Sequence, residues 1–323
     1  MPVASPVDFA TYGDYAFTPP AGPRDAPPGH FLGRVTADGS SGWRAEPGRY
    51  HLYVSLACPW AHRSIIVRAL KGLDDVVGMT VLDPVRDGRG WAFRDVADPV
   101  NDFALLRDAY RATDPGFDGH VSVPVLWDRE KGVIVSNNYP DLSLDLGRAF
   151  DAWATPLDLY PAALRPGIDA LNAKIYTTVN KGVYRCGFAR SQGSYDRFVA
   201  TVFTTLDELE ERLSTRRFLF GDQLTEADVR LYVTLARFDA VYAPHFRASL
   251  RRLADYDHLW AYTRDLYAIP AFGGTTDLDH IRRHYFRTQP ALNPSRIVPA
   301  GPVPDFTAPH GRGPRFVPGA EVR

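Results

Sequence analysis

Two cysteines, Cys58 and Cys186, are all that this 323-residue chain contains. That is far too few for the disulfide framework of a secreted scaffold, so both read as free thiols. Charge of one sign is equally scarce. A net charge of -1 and a pI near 6.8 leave no broad positive field to hold a phosphate backbone or an anionic membrane, which sets nucleic acid aside as a partner. Nowhere do 18 apolar residues run together, so no membrane span is expected. The stretch from Met1 to Phe17 is studded with Pro, Asp and Tyr and has no basic segment followed by an apolar one, so a soluble, cytoplasmic chain is the expectation. Lysine is sparse beside arginine while Ala, Asp, Gly and Pro are plentiful, a bias that points to a high-GC genome.

What is present is enough apolar residue for two packed domains. Pro19 to Gly48 is rich in Pro, Gly and Ser without sustained periodicity and reads as an extended arm whose order needs docking. Tyr50 to Leu56 predicts a strand and Pro59 to Leu70 a helix, with Cys58 at the junction. Val76 to Leu82 predicts a second strand and Phe103 to Tyr110 a short helix. Val121 to Trp127 and Val133 to Ser136 predict a hairpin, and Leu142 to Phe150 a further helix. Beyond Ala154 long helical patterns dominate: Ile168 to Val179, Tyr195 to Leu213, Glu226 to Val241 and Leu259 to Tyr267. The expected division is an arm over 1–47, an α/β domain over 48–153, an all-helical domain over 154–288 and a Pro-rich tail over 289–323, disordered past Pro304.

The run Ser55-Leu-Ala-Cys-Pro-Trp-Ala-His-Arg63 sets Cys58 just before a proline, and proline is favoured at the first position of a helix. Unpaired backbone N–H groups and the positive end of the helix dipole stabilise a thiolate there, so its pKa is expected below the ~8.5 of a free cysteine. His62 and Arg63 add positive potential if they point toward it. Ala61 stands where a resolving cysteine would be, so an external thiol must complete any disulfide chemistry. A free cysteine is most often a small buried hydrophobe. That suits Cys186, whose context Val183-Tyr-Arg-Cys-Gly-Phe188 carries no helix-start signal. The second element is Val123-Pro124 at the head of a strand, where proline marks an edge or a cis turn. A cis bond there turns the Val123 backbone outward, toward an extended thiol compound lying beside Cys58.

Six ordered stretches carry a resemblance: Gly48 to Arg63, Val123 to Asp128, Asn180 to Ala189, Asp228 to Leu231, Arg237 to Tyr242 and His280 to Tyr285. Together they resemble the glutathionyl-hydroquinone reductases, the xi class of glutathione transferases, over about Phe31 to Pro302. The resemblance implies a thioredoxin-like N-terminal domain, an all-α C-terminal domain and a homodimer. It implies that Cys58 attacks the sulfur of a thiol-conjugated hydroquinone, releases the hydroquinone and is freed by a second thiol. It further implies that Trp91 packs on the bound thiol, that Arg107 contacts its carboxylate, and that Tyr184, Tyr242 and Tyr285 line the hydroquinone site. Phenols suit quinol oxygens and a carbon that needs a proton.

The chain departs from the family after the hairpin. Where glutathione-using members carry a Glu-Ser pair that grips the γ-glutamyl end, this one has Asn138 and Tyr139, and His120 stands where the family typically has Arg. Losing a carboxylate that pairs with an ammonium removes a charge-assisted hydrogen bond of ~1.5–3 kcal/mol. An amide and a phenol suit a ligand rich in hydroxyls, and the composition fits a bacterium in which mycothiol, a cysteinyl sugar, replaces glutathione. Mycothiol is therefore the expected co-substrate, with glutathione held through backbone groups as the other reading.

Other motifs carry less. His280 and His284 lie four apart on a predicted helix, yet no nearby Glu or Cys completes a zinc site, so no metal is expected. Thr225-Glu-Ala-Asp228 fits a capping-box variant, which makes Asp228 a folding residue. The Arg251-Arg252 and Arg282-Arg283 pairs read as solvated helix faces. Two readings from other classes stay open: an omega-like thiol transferase or dehydroascorbate reductase using the same Cys58, and a non-enzymatic protein that stores aromatic ligands.

Overall fold

Tyr50–Val54 form the first strand, β1, and all five residues are buried. A run of aromatic and β-branched residues does this when both faces of a strand are covered. The chain turns into α1, Pro59–Leu70, with the boundaries the sequence predicts. Gly78–Val81 then return as β2, parallel to β1, with His51 opposite Gly78 and Val54 opposite Val81. A parallel neighbour reached through a helix is a βαβ unit. α2, Leu106–Thr113, starts three residues later than its pattern predicts. The hairpin strands are β3, Val125–Asp128, and β4, Val133–Ser136, and the sheet order is β2-β1-β3-β4. β3 runs antiparallel to β1, with Tyr50 opposite Asp128. It begins only at Val125 because Pro124 has no N–H to give to a ladder. α3, Tyr139–Arg148, starts earlier than its apolar pattern suggests, with Pro140 in its first turn and Asn138 as N-cap.

The computed structural model describes residues 2–16, 29–301, 303–314 and 316. They divide into two compact units, Met1–Leu157 with Asp279–Pro290, and Asp158–Leu278 with Ala291–Arg323. Residues 279–288, expected with the helical domain, thus cluster with the first unit. The first unit is α/β and the second helical: α4 is Arg165–Ile175, α5 Gly182–Gly187, α6 Gln192–Leu213, α7 Glu226–Leu235 and α8 Asp257–Tyr267. α9, Leu278–Thr288, follows and carries the chain back into the first unit. The spacing predicts continuous helices over 168–179 and 226–241. Each is instead broken by a wide π-type turn, Tyr176–Asn180 after α4 and Phe238–Tyr242 after α7. No helix among the described residues is long and apolar enough to cross a membrane.

Both extended segments are docked where they are described. The arm expected over Pro19 to Gly48 lies partly outside the described residues. From residue 29 onward, the His30 and Phe31 amides donate to Asn137 Oδ1, Gly33 N donates to the Val135 carbonyl, and Arg34 forks onto Asp145. The expectation of disorder past Pro304 fails for the described residues. Phe306 is 5% exposed, stacks on Tyr267 and packs on Trp260, and Arg312 donates to the Leu213 carbonyl at the end of α6 and to the Arg217 carbonyl just beyond it. One buried aromatic and one arginine that satisfies helix-end carbonyls hold a segment whose composition reads as disordered.

Candidate active site

Cys58 is the N-cap of α1, in extended conformation, and no side chain caps that helix end. Its sulfur lies 3.6 Å from the Val123 carbonyl, to which the thiol donates, and the Val123-Pro124 bond is cis. The cis bond for which the sequence allows is present, and it sets the Val123 carbonyl beside Cys58. Cys58 keeps partial solvent access, whereas Cys186 is completely buried and burial pushes its thiol up to about 11. His62 and Arg63 are fully buried. Arg63 lies 4.8 Å over the Trp60 ring and 5.7 Å from that of Tyr139.

Asn138 and Tyr139 behave differently. Asn138 is 6% exposed. Its amide nitrogen donates to Asp141 at 2.8 Å, and Oδ1 has no hydrogen-bond partner among the described residues. A buried acceptor left open in this way is costly and calls for a donor. Tyr139 stacks on Trp60 with centroids 4.7 Å apart, so its ring is part of the packing between α1 and α3. The neighbouring Asn137 ties the arm to the sheet, accepting from His30 and Phe31 and donating to Tyr110 and Ser122.

Trp91 is 4% exposed, stacks on His284 at 5.3 Å and is met by the Arg86 guanidinium at 4.6 Å. Arg107 is half-buried in the first turn of α2, and its Nε has no partner among the described residues. His120 is held neutral, pushed down to about 4 by burial and by Arg86 nearby. Its Nδ1 meets the Tyr15 hydroxyl at 2.6 Å. Tyr15 and Arg86 were not singled out from sequence, because nothing local marks a residue whose partner is 105 positions away.

Cys58, Trp91, Arg107, Val123, Pro124, Asn138, Tyr139 and Tyr285 belong to the first unit, and Tyr184 and Tyr242 to the second. Tyr285, on α9, is 1% exposed. In the second unit Tyr184, on α5, and Tyr242, at the end of its π-type turn, have ring centroids 5.8 Å apart. Phe246 stacks on Tyr242 and touches Tyr184, and Phe188, 49% exposed, packs on Phe246. Phe246 had no sequence signal. Phe188 did, as the last aromatic of the motif around Cys186. His284 Nδ1 donates to the Pro84 carbonyl at 2.6 Å. No group of three potential metal ligands occurs among the described residues.

A family model for the glutathione S-transferase C-terminal domain matches residues 192–265. The glutathionyl-hydroquinone reductase YqjG of Escherichia coli is 46% identical over 298 residues, 88% of this chain and 91% of that protein. The glutathionyl-hydroquinone reductase PcpF of Sphingobium chlorophenolicum is 45% identical over 268 residues, 81% of this chain and 86% of the relative. The glutathione-bound structure of the Escherichia coli protein superposes with a TM-score of 0.86, covering 88% of this chain and 97% of that one.

Proposed function

The chain belongs to the glutathionyl-hydroquinone reductases, the xi class of glutathione transferases, and from that premise we propose that Cys58 is the nucleophile of a thiol-dependent reductase of thiol-conjugated hydroquinones. The observation that carries the reading is a partly exposed cysteine at the amino end of α1 facing the Val123 carbonyl beside a cis proline. The helix end favours the anionic sulfur, and the carbonyl marks where an extended thiol pairs with backbone. The thiolate attacks the conjugate's sulfur, an S–S bond forms, and the S–C bond to the ring breaks. The ring carbon takes a proton, supplied in this proposal by the phenols of Tyr184, Tyr242 or Tyr285. A second thiol then attacks the mixed disulfide, leaving as a symmetric disulfide and regenerating the Cys58 thiolate. Trp91 and Arg107 are assigned to the thiol, and the open Nε of Arg107 suits a carboxylate of glutathione or a hydroxyl oxygen of a sugar-bearing thiol.

The structure of the Escherichia coli relative has glutathione bound. For this chain we propose mycothiol instead. Asn138 offers Oδ1 as a buried, open acceptor, which suits a sugar hydroxyl, and it lacks the charge that would hold an ammonium. Loss of that ion pair weakens glutathione roughly tenfold. Side-by-side kcat/KM values for mycothiol and glutathione conjugates of one hydroquinone decide the matter. A mycothiol preference is the expected result, and a clear glutathione preference removes this part while leaving the Cys58 chemistry in place. An omega-like thiol transferase would instead favour simple mixed disulfides over quinol thioethers, and an aromatic-ligand store would be indifferent to Cys58. The proposal includes a cytoplasmic location, which suits two free thiols, and a homodimer. Light scattering should give a particle of twice 36.0 kDa at micromolar concentration, and a monomer mass refutes the dimer.

A further inference from the structure

The segment ahead of the arm is built onto the loop that carries Trp91. Ala4 N donates to the Phe93 carbonyl, Asp8 N to Asp87, and Gly88 N to the Gly13 carbonyl. Arg89 donates to the Ser5 and Pro6 carbonyls, and Arg94 to that of Ser5. The fit is close enough that a Cβ on Gly88 would stand 1.9 Å from the Tyr12 carbonyl oxygen, so only glycine serves there. This docking delivers Tyr15. The Arg86 guanidinium lies 4.2 Å over the Tyr15 ring and 4.6 Å over Trp91, and Trp91 stacks on His284. The Tyr15 hydroxyl meets His120 Nδ1 at 2.6 Å and lies 3.4 Å from the Val121 carbonyl, two residues before the carbonyl that faces Cys58.

We propose that Tyr15 is a positioning residue for the thiol co-substrate, its ring and hydroxyl together holding the Arg86–Trp91 stack and the 120–123 loop in register on either side of the thiol groove. The hydroxyl meets the 120–123 loop and the ring meets Arg86, so this one side chain touches both segments. Burial keeps His120 neutral, and among the described contacts Tyr15 and Arg86 face it. The link is therefore a hydrogen bond between neutral groups and holds across the neutral pH range. Tyr15 touches no reacting atom in this account. It acts through the placement of backbone and indole, and misplacement of binding groups by about 1 Å is costly even far from the chemistry.

The proposal rests on the reading of Cys58 and its groove as the thiol site. Its test uses Tyr15→Ala and Tyr15→Phe in the full chain, with three readouts: steady-state turnover of a glutathione conjugate of hydroquinone, the rate of Cys58 alkylation by iodoacetamide, and calorimetric binding of glutathione in a Cys58→Ser background. Tyr15→Ala is expected to raise the KM of the conjugate and the Kd of glutathione about fivefold or more, with kcat and the alkylation rate within about twofold. Tyr15→Phe, which keeps the ring on Arg86 and loses the hydroxyl's bonds, falls between. Unchanged KM and Kd in Tyr15→Ala overturn the proposal. So does a loss of kcat and a change of alkylation rate together with KM, which marks general loosening of the fold. If the parent protein binds glutathione but turns over no conjugate, the proposed reaction fails while the Kd values still judge Tyr15. If the parent neither binds nor turns over conjugates of glutathione or of mycothiol, both fall.

Discussion

Cys58 and Cys186 are the same residue type in opposite circumstances. One stands at a helix start beside a carbonyl with access to solvent, and the other is sealed in the helical unit with its thiol pushed up to about 11. At pH 8 iodoacetamide should therefore modify Cys58 alone in the folded protein, read by peptide mass. Modification of Cys186 at a comparable rate contradicts the burial. Cys58→Ser should abolish thioether reduction, because a hydroxyl stays protonated and is a far poorer nucleophile, and Cys186→Ser should leave kcat within about twofold. The distinction was legible in sequence because Pro59 follows one cysteine and no helix signal surrounds the other. The difference between Asn138 and Tyr139 was not. Both were read as thiol contacts from their place after the hairpin, whereas the packing of α3 on α1 turns the Tyr139 ring onto Trp60.

Among the elements, α7 shows how a local pattern becomes a fixed structure. The Thr225 amide and hydroxyl both donate to Asp228 Oδ2, and the carboxylate's other oxygen accepts from the Leu219 amide and the Tyr262 hydroxyl. Asp228 is fully buried, and burial raises its pKa despite these four donors. Asp228→Ala removes the capping partner and strands buried donors, a loss of about 2–4 kcal/mol. Urea unfolding should show it as a lowered midpoint, and a change under 1 kcal/mol would mean the box is ornamental. The i, i+3 spacing announced this box. The π-type turns that end α4 and α7 were not announced, because one extra residue in a turn leaves the helical period of its neighbours intact. Yet one of those turns carries Tyr242 and the other leads into the helix of Tyr184.

For the whole molecule, acid should act first through buried histidine. His51 and His120 are both pushed down to about 4, mainly by burial. Their folded values lie below the ~6.5 of an unfolded histidine, so on acidification the unfolded chain takes up protons that the native state refuses. Their contribution is complete above pH 6.5 and is lost as pH falls toward 4. The urea midpoint should drop between pH 7 and pH 5, ahead of most carboxylates, and His51→Gln with His120→Gln should flatten that slope. A flat midpoint in the parent protein refutes it. The sequence by itself determined the order of an α/β and a helical unit, the cysteine at a helix start and the proline next to the carbonyl it meets. Those features rest on hydrophobic periodicity, helix-start chemistry and motif order, all of which are local along the chain. The tertiary structure alone decided that the tail docks, that α9 returns its residues to the first unit, and that Tyr15 reaches His120. These depend on contacts between residues up to a hundred or more positions apart, and a contact of that kind leaves no periodic or compositional trace in a single sequence.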